Sequence, residues 1–451
     1  MSKGNIFKKL ALFFVVLTIF LGTSTALCAQ EVYAGSHTVR VGLNFSATAL
    51  NNTTIDTNTS GFYVSVPEYG IDSYFVEANR LFINSSGSSL TVNTLLGAEV
   101  ASAEKNVKVS VSPASETGIC TINGKNYRGS FEFYLNSDGK IIVINVIEID
   151  TYLKGVLPSE IYPSWNMEAL KAAAVVSRTF ALRNATSSSH SSLGFDICST
   201  THCQVYSGTN KENDRTNQAI EETKGLVVKY NGLLAMTPYH SSTGGFTESA
   251  ASTWGGSAET YPYLTNVFNP YENYRNVSNG KWHTVIRSES LPSYISLSYK
   301  NKLAGTNYTF DYDKLGNGYI GQMTVYDEYG NSLFLKTSAN VRTFFGSLVK
   351  SANFGIANAY IPSNNSSSTV SIISSSGVQN IQTYNGYSYI TSSGTYNAYG
   401  IEQVYVFDGK GFGHGVGMSQ YGSKGLADAG FTYEEIIYLY FPGTNIVPFI
   451  E

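Results

Sequence analysis

The run "IIVINVIEIDTYLKGVLPSEIYPSWNMEALKAAAVVSRTFALRNA", residues 141–185, decides how the chain is read. Its opening, with Lys140 ahead of it, is a nearly unbroken apolar and β-branched series, which marks a buried strand. Its end, from Ser164, places Met167, Leu170, Ala174, Val175, Arg178 and Leu182 at three- and four-residue steps, and the apolar members make one face. Alanine and leucine are strong helix formers, so a helix is expected, with Pro163 ahead of it and Ser164 as its cap. Between the two lies "LKGVLPSEIYPSW", residues 153–165, where Glu160 sits between a proline-bearing turn and the start of the helix.

On the N-terminal side, residues 35–112 alternate apolar and polar in stretches such as "HTVRVGLNF" and "GFYVSVPEYG", punctuated by Asn, Thr, Ser and Gly. That pattern predicts short strands and turns. "SPASETG" (112–118) reads as a linker or long turn, and Asn123-Gly124 signals a hairpin. On the C-terminal side, "DRTNQAIEETKG" predicts a helix stopped by Gly225, and Asn231-Gly232 a second hairpin. Residues 300–410 return to strand-like alternation. Within them "IPSNNSSSTVSIISSSG" (361–377) is biased enough to be an exposed loop or flexible insert. "TYEEIIYLYF" carries a capping box in Thr432 and Glu435. The whole predicts an α+β fold: an antiparallel β framework with clustered helices lining a groove, plus a β-rich N-terminal region. The expected divisions are a leader or anchor at 1–34, a β-rich region at 35–112 and a catalytic domain at 113–451.

The leader is expected from Lys3, Lys8 and Lys9, the apolar "LALFFVVLTIFLG", and the small residues in "TSTALCA". Its uncharged run also suits an uncleaved anchor. Leu27 is too bulky for a lipoprotein cleavage site at Cys28. The protein is therefore expected to be exported, either free or tethered to a membrane by this segment alone. Only 14% of the 451 residues are charged, against roughly 25% in typical soluble proteins. Tyrosine is abundant, at 33 residues, and its flat rings suit sugar faces as well as ordinary strands. The net charge of −4 and the lack of a basic stripe argue against nucleic acid as a partner.

Four stretches carry chemistry. Glu160 has apolar and aromatic neighbours, which raise a carboxyl pKa and suit a general acid; the N-terminus of the following helix would push the other way. Local sequence alone favours an ordinary solvated turn glutamate. In "HSSLGFDICSTTHCQVYSG" (190–208), His190, Cys198, His202 and Cys203 match the donor set of a closed, structural zinc site. A disulfide among Cys120, Cys198 and Cys203, or free thiols, are the alternatives. "YHSSTGGFTESAASTWGG" (239–256) is a close-packed loop with Trp254 as a sugar platform. "GKGFGHGVGMSQYGSKGLADAG" (409–430) has five glycines between Gly409 and Gly417, which let backbone approach backbone or a ligand, but it fits no phosphate-loop pattern. His414 there is either a substrate or orienting group or a packed structural histidine.

Together and in this order, these stretches resemble the stage II sporulation protein D and amidase-enhancer family, over roughly residues 118–446. The resemblance implies a peptidoglycan lytic transglycosylase with Glu160 as its catalytic residue. The implied substrate is glycan strands stripped of stem peptides by a partner amidase. Some clostridial members are similar in holding zinc with a Cys/His cluster, which implies a structural zinc on His190, Cys198, His202 and Cys203. The candidate substrate-binding residues on these segments are Tyr152, Ser159, Tyr162, Arg178, Ser242, Thr243, Trp254, His414, Ser419 and Gln420. One departure is Ala173, where the family usually has glutamine. The resemblance also leaves two other functions open. One is a wall-binding protein that stimulates an amidase without cutting; the other is a zinc hydrolase, which would need an open metal position.

Overall fold

The computed structural model describes residues 37–187, 190–273, 280–362, 370–374, 377–381 and 401–450. The fold is α+β. The expected leader and much of the 361–377 stretch lie outside the described residues.

The apolar run at 141–149 forms the strand Ile141–Glu148, inside a seven-stranded sheet. Thr38–Asn44 pairs antiparallel with it on one side and Ser130–Leu135 on the other. The sheet continues through Val109–Pro113, Phe62–Val66 and Ile71–Val76, with Ile197–Cys198 added in parallel beside Thr38–Asn44. A six-stranded antiparallel sheet, from Lys125–Tyr127 to Glu99–Glu104, packs against it. Both hairpin signals form. Asn123 and Gly124, like Asn231 and Gly232, take the paired positive φ values that a tight two-residue hairpin needs.

These pairings overturn the division expected near residue 112. Strands from 38–113 alternate with strands from 130–148 in one sheet and share one core. Sequence order hid this because antiparallel partners can lie a hundred residues apart. The separation that exists lies elsewhere. Lys281–Arg287, Phe354–Pro362 and Ile401–Lys410 make a three-stranded sheet with its own core of Trp282, Leu291, Phe344, Phe345, Phe354 and Phe407. It is an inserted module, and the chain returns from it through the glycine-rich stretch to helices Gln420–Asp428 and Tyr433–Tyr440.

The strand Ile141–Glu148 leads directly into a helix, Ile149–Glu160, capped by the Glu148 carboxylate on the N–H groups of Asp150 and Thr151. The turn expected around Pro158 is instead the last turn of this helix. Proline has no N–H to offer the Lys154 carbonyl, so this turn loses one helical bond, and the end of the helix is closed by the Ile161 N–H on the Leu157 carbonyl at 2.9 Å. The long helix spans Met167–Ser187, and its cap is Asn166, whose side chain accepts from the Glu168 N–H at 3.0 Å. Ser164 stands too far ahead to serve. Two contacts bind the C-terminal helices to this end of the long helix: Asn166 Nδ2 to the Ala427 carbonyl, and the Tyr433 N–H to Glu168. Last, Asn445–Pro448 pairs with Leu226–Tyr230.

Candidate active site and Cys/His cluster

Glu160 ends its helix at a cleft of about 430 Å³ lined by Ser159, Tyr162, Trp165, Lys211, Ser241, Phe412, Gln420 and Tyr421, among others. Its Oε1 accepts a 2.8 Å hydrogen bond from the Val205 N–H. Burial raises its pKa, and the Val205 N–H offsets part of that rise. The negative end of its helix acts in the same direction as burial, contrary to the sequence expectation of a helix N-terminus. With Oε1 occupied as an acceptor, the acid proton belongs on Oε2, which has no hydrogen-bond partner among the described residues. No other carboxylate among the described residues lines the cleft.

Both the sequence neighbours and distant segments fix this group. Gln420 Nε2 donates to the Glu160 carbonyl at 2.8 Å, from 260 residues away. The Ser159 and Ser207 hydroxyls pair at 3.0 Å. Tyr152 donates to Gln204 Oε1, and Gln204 Nε2 reaches the Ser177 carbonyl and the Tyr239 hydroxyl. One wall is aromatic. The Tyr162 and Trp165 ring centroids are 5.4 Å apart, and those of Trp165 and Tyr421 4.9 Å. Tyr162 is 58% exposed, so it presents a ring face of the kind that stacks on sugars.

Of the ten candidate binding residues, Ser159, Tyr162 and Gln420 meet Glu160 in the cleft. Five are buried and are corrected to supporting roles. Arg178 is fully enclosed and donates to Asp150 at 2.6 Å and to the Leu226 and Ile220 carbonyls. Tyr152 is spent on Gln204. Thr243 is held by both oxygens of the buried Glu272, at 2.6 and 2.7 Å. Ser419 caps its helix through the Gly422 N–H, and Ser242 lies buried in a backbone bridge to Phe412. Trp254, 40% exposed, and His414 pack ring to ring at 5.5 Å but do not line the cleft. His414 Nδ1 accepts from the Val416 N–H, and burial pushes its pKa down to about 4, so it is neutral. The glycines serve backbone packing. Gly413 has φ of 118°, and a Cβ there would lie 2.6 Å from the Cβ of His240. The sequence reading missed Trp165, Lys211, Ser241, Phe412 and Tyr421. Only their aromatic density hinted at a binding face.

The Cys/His residues converge. Ligand atoms of His190, Cys198, His202 and Cys203 all lie within 4.8 Å of one another. Cys203 Sγ is 3.3 Å from His190 Nε2 and from His202 Nδ1, and Cys198 Sγ is 3.7 Å from His202 Nδ1. Tetrahedral zinc with its usual bond lengths holds neighbouring N and S donors about 3.3–3.8 Å apart. The donor set fits. Cys120, Cys198 and Cys203 are all free thiols, and Cys120 is buried in the six-stranded sheet. Phe195 stacks on His190 at 4.8 Å, closing one side. A larger cavity, about 530 Å³, opens beside this loop at Phe45, Tyr127 and Thr200, but no carboxylate among the described residues lines it, so it lacks the acid that Glu160 supplies to the smaller cleft.

A family model described as Stage II sporulation protein matches residues 137–230, which contain the Glu160 helix, the long helix and the Cys/His loop. The chain is 31% identical over 329 residues to an uncharacterized protein of Brachyspira hyodysenteriae, covering 73% of this chain and 74% of that one. It is 29% identical over 334 residues to the amidase enhancer of Bacillus subtilis, covering 73% of this chain but 45% of the enhancer. It is 24% identical over 313 residues to stage II sporulation protein D of Bacillus subtilis, covering 66% and 74%.

Proposed function

Because the chain belongs to the stage II sporulation protein D and amidase-enhancer family, we propose that it cleaves peptidoglycan glycan strands as a lytic transglycosylase. The observation that carries this reading is the Glu160 carboxyl, alone in its cleft among the described residues and with its pKa raised. Ordinary glycosidases use two carboxylates, one as acid and one as nucleophile or base. Intramolecular attack needs one. Glu160 protonates the oxygen joining N-acetylmuramic acid to N-acetylglucosamine. It then takes the proton of the muramic acid C6 hydroxyl, which attacks C1 and closes a 1,6-anhydro ring. The nucleophile is already tethered to the reacting sugar, so proximity supplies part of the rate. The Tyr162–Trp165–Tyr421 wall holds sugar faces, and the Val205 N–H keeps the carboxyl aimed.

His190, Cys198, His202 and Cys203 would hold a zinc ion. Four protein ligands would leave no open position, so an ion held there would cross-link the loop and would not activate water. That loop runs on into Gln204 and Val205, which touch the site. Nothing among the described residues supports the zinc-hydrolase alternative. The enhancer name of one relative keeps a non-cutting role as the competing reading, and the partner in that case is a cell-wall amidase. Mass spectrometry of products from peptide-stripped strands separates the two. Anhydro-ended fragments from the wild type, absent with Glu160→Gln, support the transglycosylase. Products with reducing ends mean hydrolysis, and no products from either protein mean the enhancer.

A further inference from the structure

The Cys/His loop gathers two thiols and two imidazoles with their donor atoms within 4.8 Å of one another. The two sulfurs have different surroundings. Cys198 is 1% exposed, on the short strand Ile197–Cys198 that pairs with Val41 and Gly42. The Ser199 N–H just after it donates to the Gly42 carbonyl at 3.2 Å, so the sheet fixes this sulfur. Cys203 is half-buried, and His202 before it is exposed. A tight turn joins the two. The Cys203 N–H donates to the Thr200 carbonyl at 3.1 Å, and Thr200 Oγ1 lies 3.3 Å from Cys198 Sγ and accepts from the His202 N–H. The cavity of about 530 Å³ reaches this turn at Ser199 and Thr200, which leaves room for a small molecule beside it.

One thiol is thus enclosed and fixed, and the other is reachable and carried on a turn. That is the arrangement of a resolving and an attacking cysteine. We propose that Cys198 and Cys203 are a thiol–disulfide exchange site, where a small-molecule disulfide joins the two sulfurs and draws the Val205 N–H off Glu160. The Cys203 thiolate attacks one sulfur of the small molecule, whose S–S bond breaks, and one half leaves as a thiolate. The Cys198 thiolate then attacks the Cys203 sulfur, closes the Cys198–Cys203 bond and expels the second half. Two protein sulfurs are oxidised and the two sulfurs of the small molecule are reduced, and the departing thiolates take protons from water. A zinc ion held by the four donors loses two of them and is released as Zn²⁺ in the same step.

The link to Glu160 is short. Two sulfurs on a tetrahedral zinc stand about 3.8 Å apart, and two bonded sulfurs about 2 Å. Because the sheet holds Cys198, Cys203 makes the move. Val205 is two residues further on, and Gln204 between them is already tied to Tyr152, Ser177 and Tyr239. A single tethered residue is too short a spacer to absorb the shift, which passes to the 2.8 Å bond from the Val205 N–H to Glu160 Oε1.

The test uses the full-length wild-type protein, reduced and loaded with zinc, across a series of ratios of oxidised to reduced glutathione. The readouts are zinc released to a chromophoric chelator, disulfides mapped by peptide mass spectrometry, and deuterium exchange at the Val205 amide. None of them depends on glycan cleavage. Zinc should leave as the Cys198–Cys203 disulfide forms, with the buried Cys120 still a thiol. The Val205 amide should then exchange about fivefold to tenfold faster, the factor that one lost hydrogen bond is worth. Excess reduced glutathione with zinc should reverse all of these changes. Thiols that persist across the series, a glutathione adduct on Cys203 that Cys198 leaves unresolved, or a Cys198–Cys203 disulfide with unchanged Val205 exchange overturns the proposal. If the reduced protein takes up no zinc and the disulfide still forms reversibly with faster Val205 exchange, the zinc reading fails and the exchange site stands.

Discussion

Arg178→Met separates a structural arginine from a substrate-binding one. The guanidinium is fully buried, its Nε lies 2.6 Å from Asp150 Oδ1, and its other nitrogens reach two backbone carbonyls. Methionine keeps much of the volume and removes the charge. Asp150, whose Oδ2 already lacks a partner, then loses the countercharge it touches. Breaking a buried pair costs about 3–5 kcal/mol. For domains of this size that is a fall in Tm on the order of 10 °C. The loss should depend on pH. Burial already raises the Asp150 pKa, and Arg178 opposes that rise. Without Arg178 the folded-state pKa climbs further above the unfolded value of about 3.9. A carboxyl raised in this way supports the fold below its unfolded pKa and loses that support as pH rises through its folded pKa. The gap between variant and wild type should therefore widen from pH 4 toward pH 8, and Asp150→Asn added to Arg178→Met should narrow it at pH 8. Circular dichroism melts across pH measure this. An Arg178→Met protein with unchanged Tm and weakened glycan binding would refute the structural assignment.

Glu160→Gln should reduce cleavage by at least about 10²-fold with the fold intact. Because burial raises the Glu160 pKa, wild-type kcat/KM should decline as pH rises through that pKa. The same shift makes the Gln variant the more stable protein at pH 8, with the difference closing toward pH 4, which paired melting curves will show. Chelation, or Cys203→Ser, should lower Tm and activity together, with one zinc per chain in native mass spectra of the untreated protein; activity lost at unchanged Tm would contradict a structural ion. Gly155→Ala gains about 1 kcal/mol of helix propensity but forces its methyl to within 2.6 Å of the Gly208 oxygen and the Tyr206 ring. Overpacking of this kind costs about 1–3 kcal/mol, so urea titration should show a net loss, and a stabilised variant would mean that the turn can yield.

Local signals in the sequence carried far. The long helix, both Asn-Gly hairpins and the Thr432–Glu435 capping box form where short-range chemistry places them. Glu160 was legible as a candidate, and so was the group of His190, Cys198, His202 and Cys203 as candidate metal ligands, because each depends on residue type within a short window. What stayed hidden depends on long-range pairing. The sheet that merges residues 38–113 with 130–148 could not be read from alternation, which gives faces but not partners. The helix through Pro158 was missed because proline dominates a local reading, whereas the cap that starts this helix, Glu148, lies well upstream at the end of the preceding strand. Arg178 and Thr243 looked like ligand-binding groups because sequence shows polarity without burial. Lys211 and Tyr421 were passed over because nothing local marks them; the fold alone brings them to Glu160.

The bond from Gln420 to the Glu160 carbonyl spans 260 residues. Beside it, Tyr421 and Phe412 complete the walls of the cleft. A chain that emerges N-terminus first therefore exposes its acid long before it owns an active site. The inserted module must be made, and the chain must return from it, before Phe412, Gln420 and Tyr421 can stand beside that glutamate. Covalent order thus sets the order of assembly: a fragment truncated ahead of residue 412 keeps Glu160, Tyr162 and Trp165 but lacks Phe412, Gln420 and Tyr421, so it has only part of the cleft.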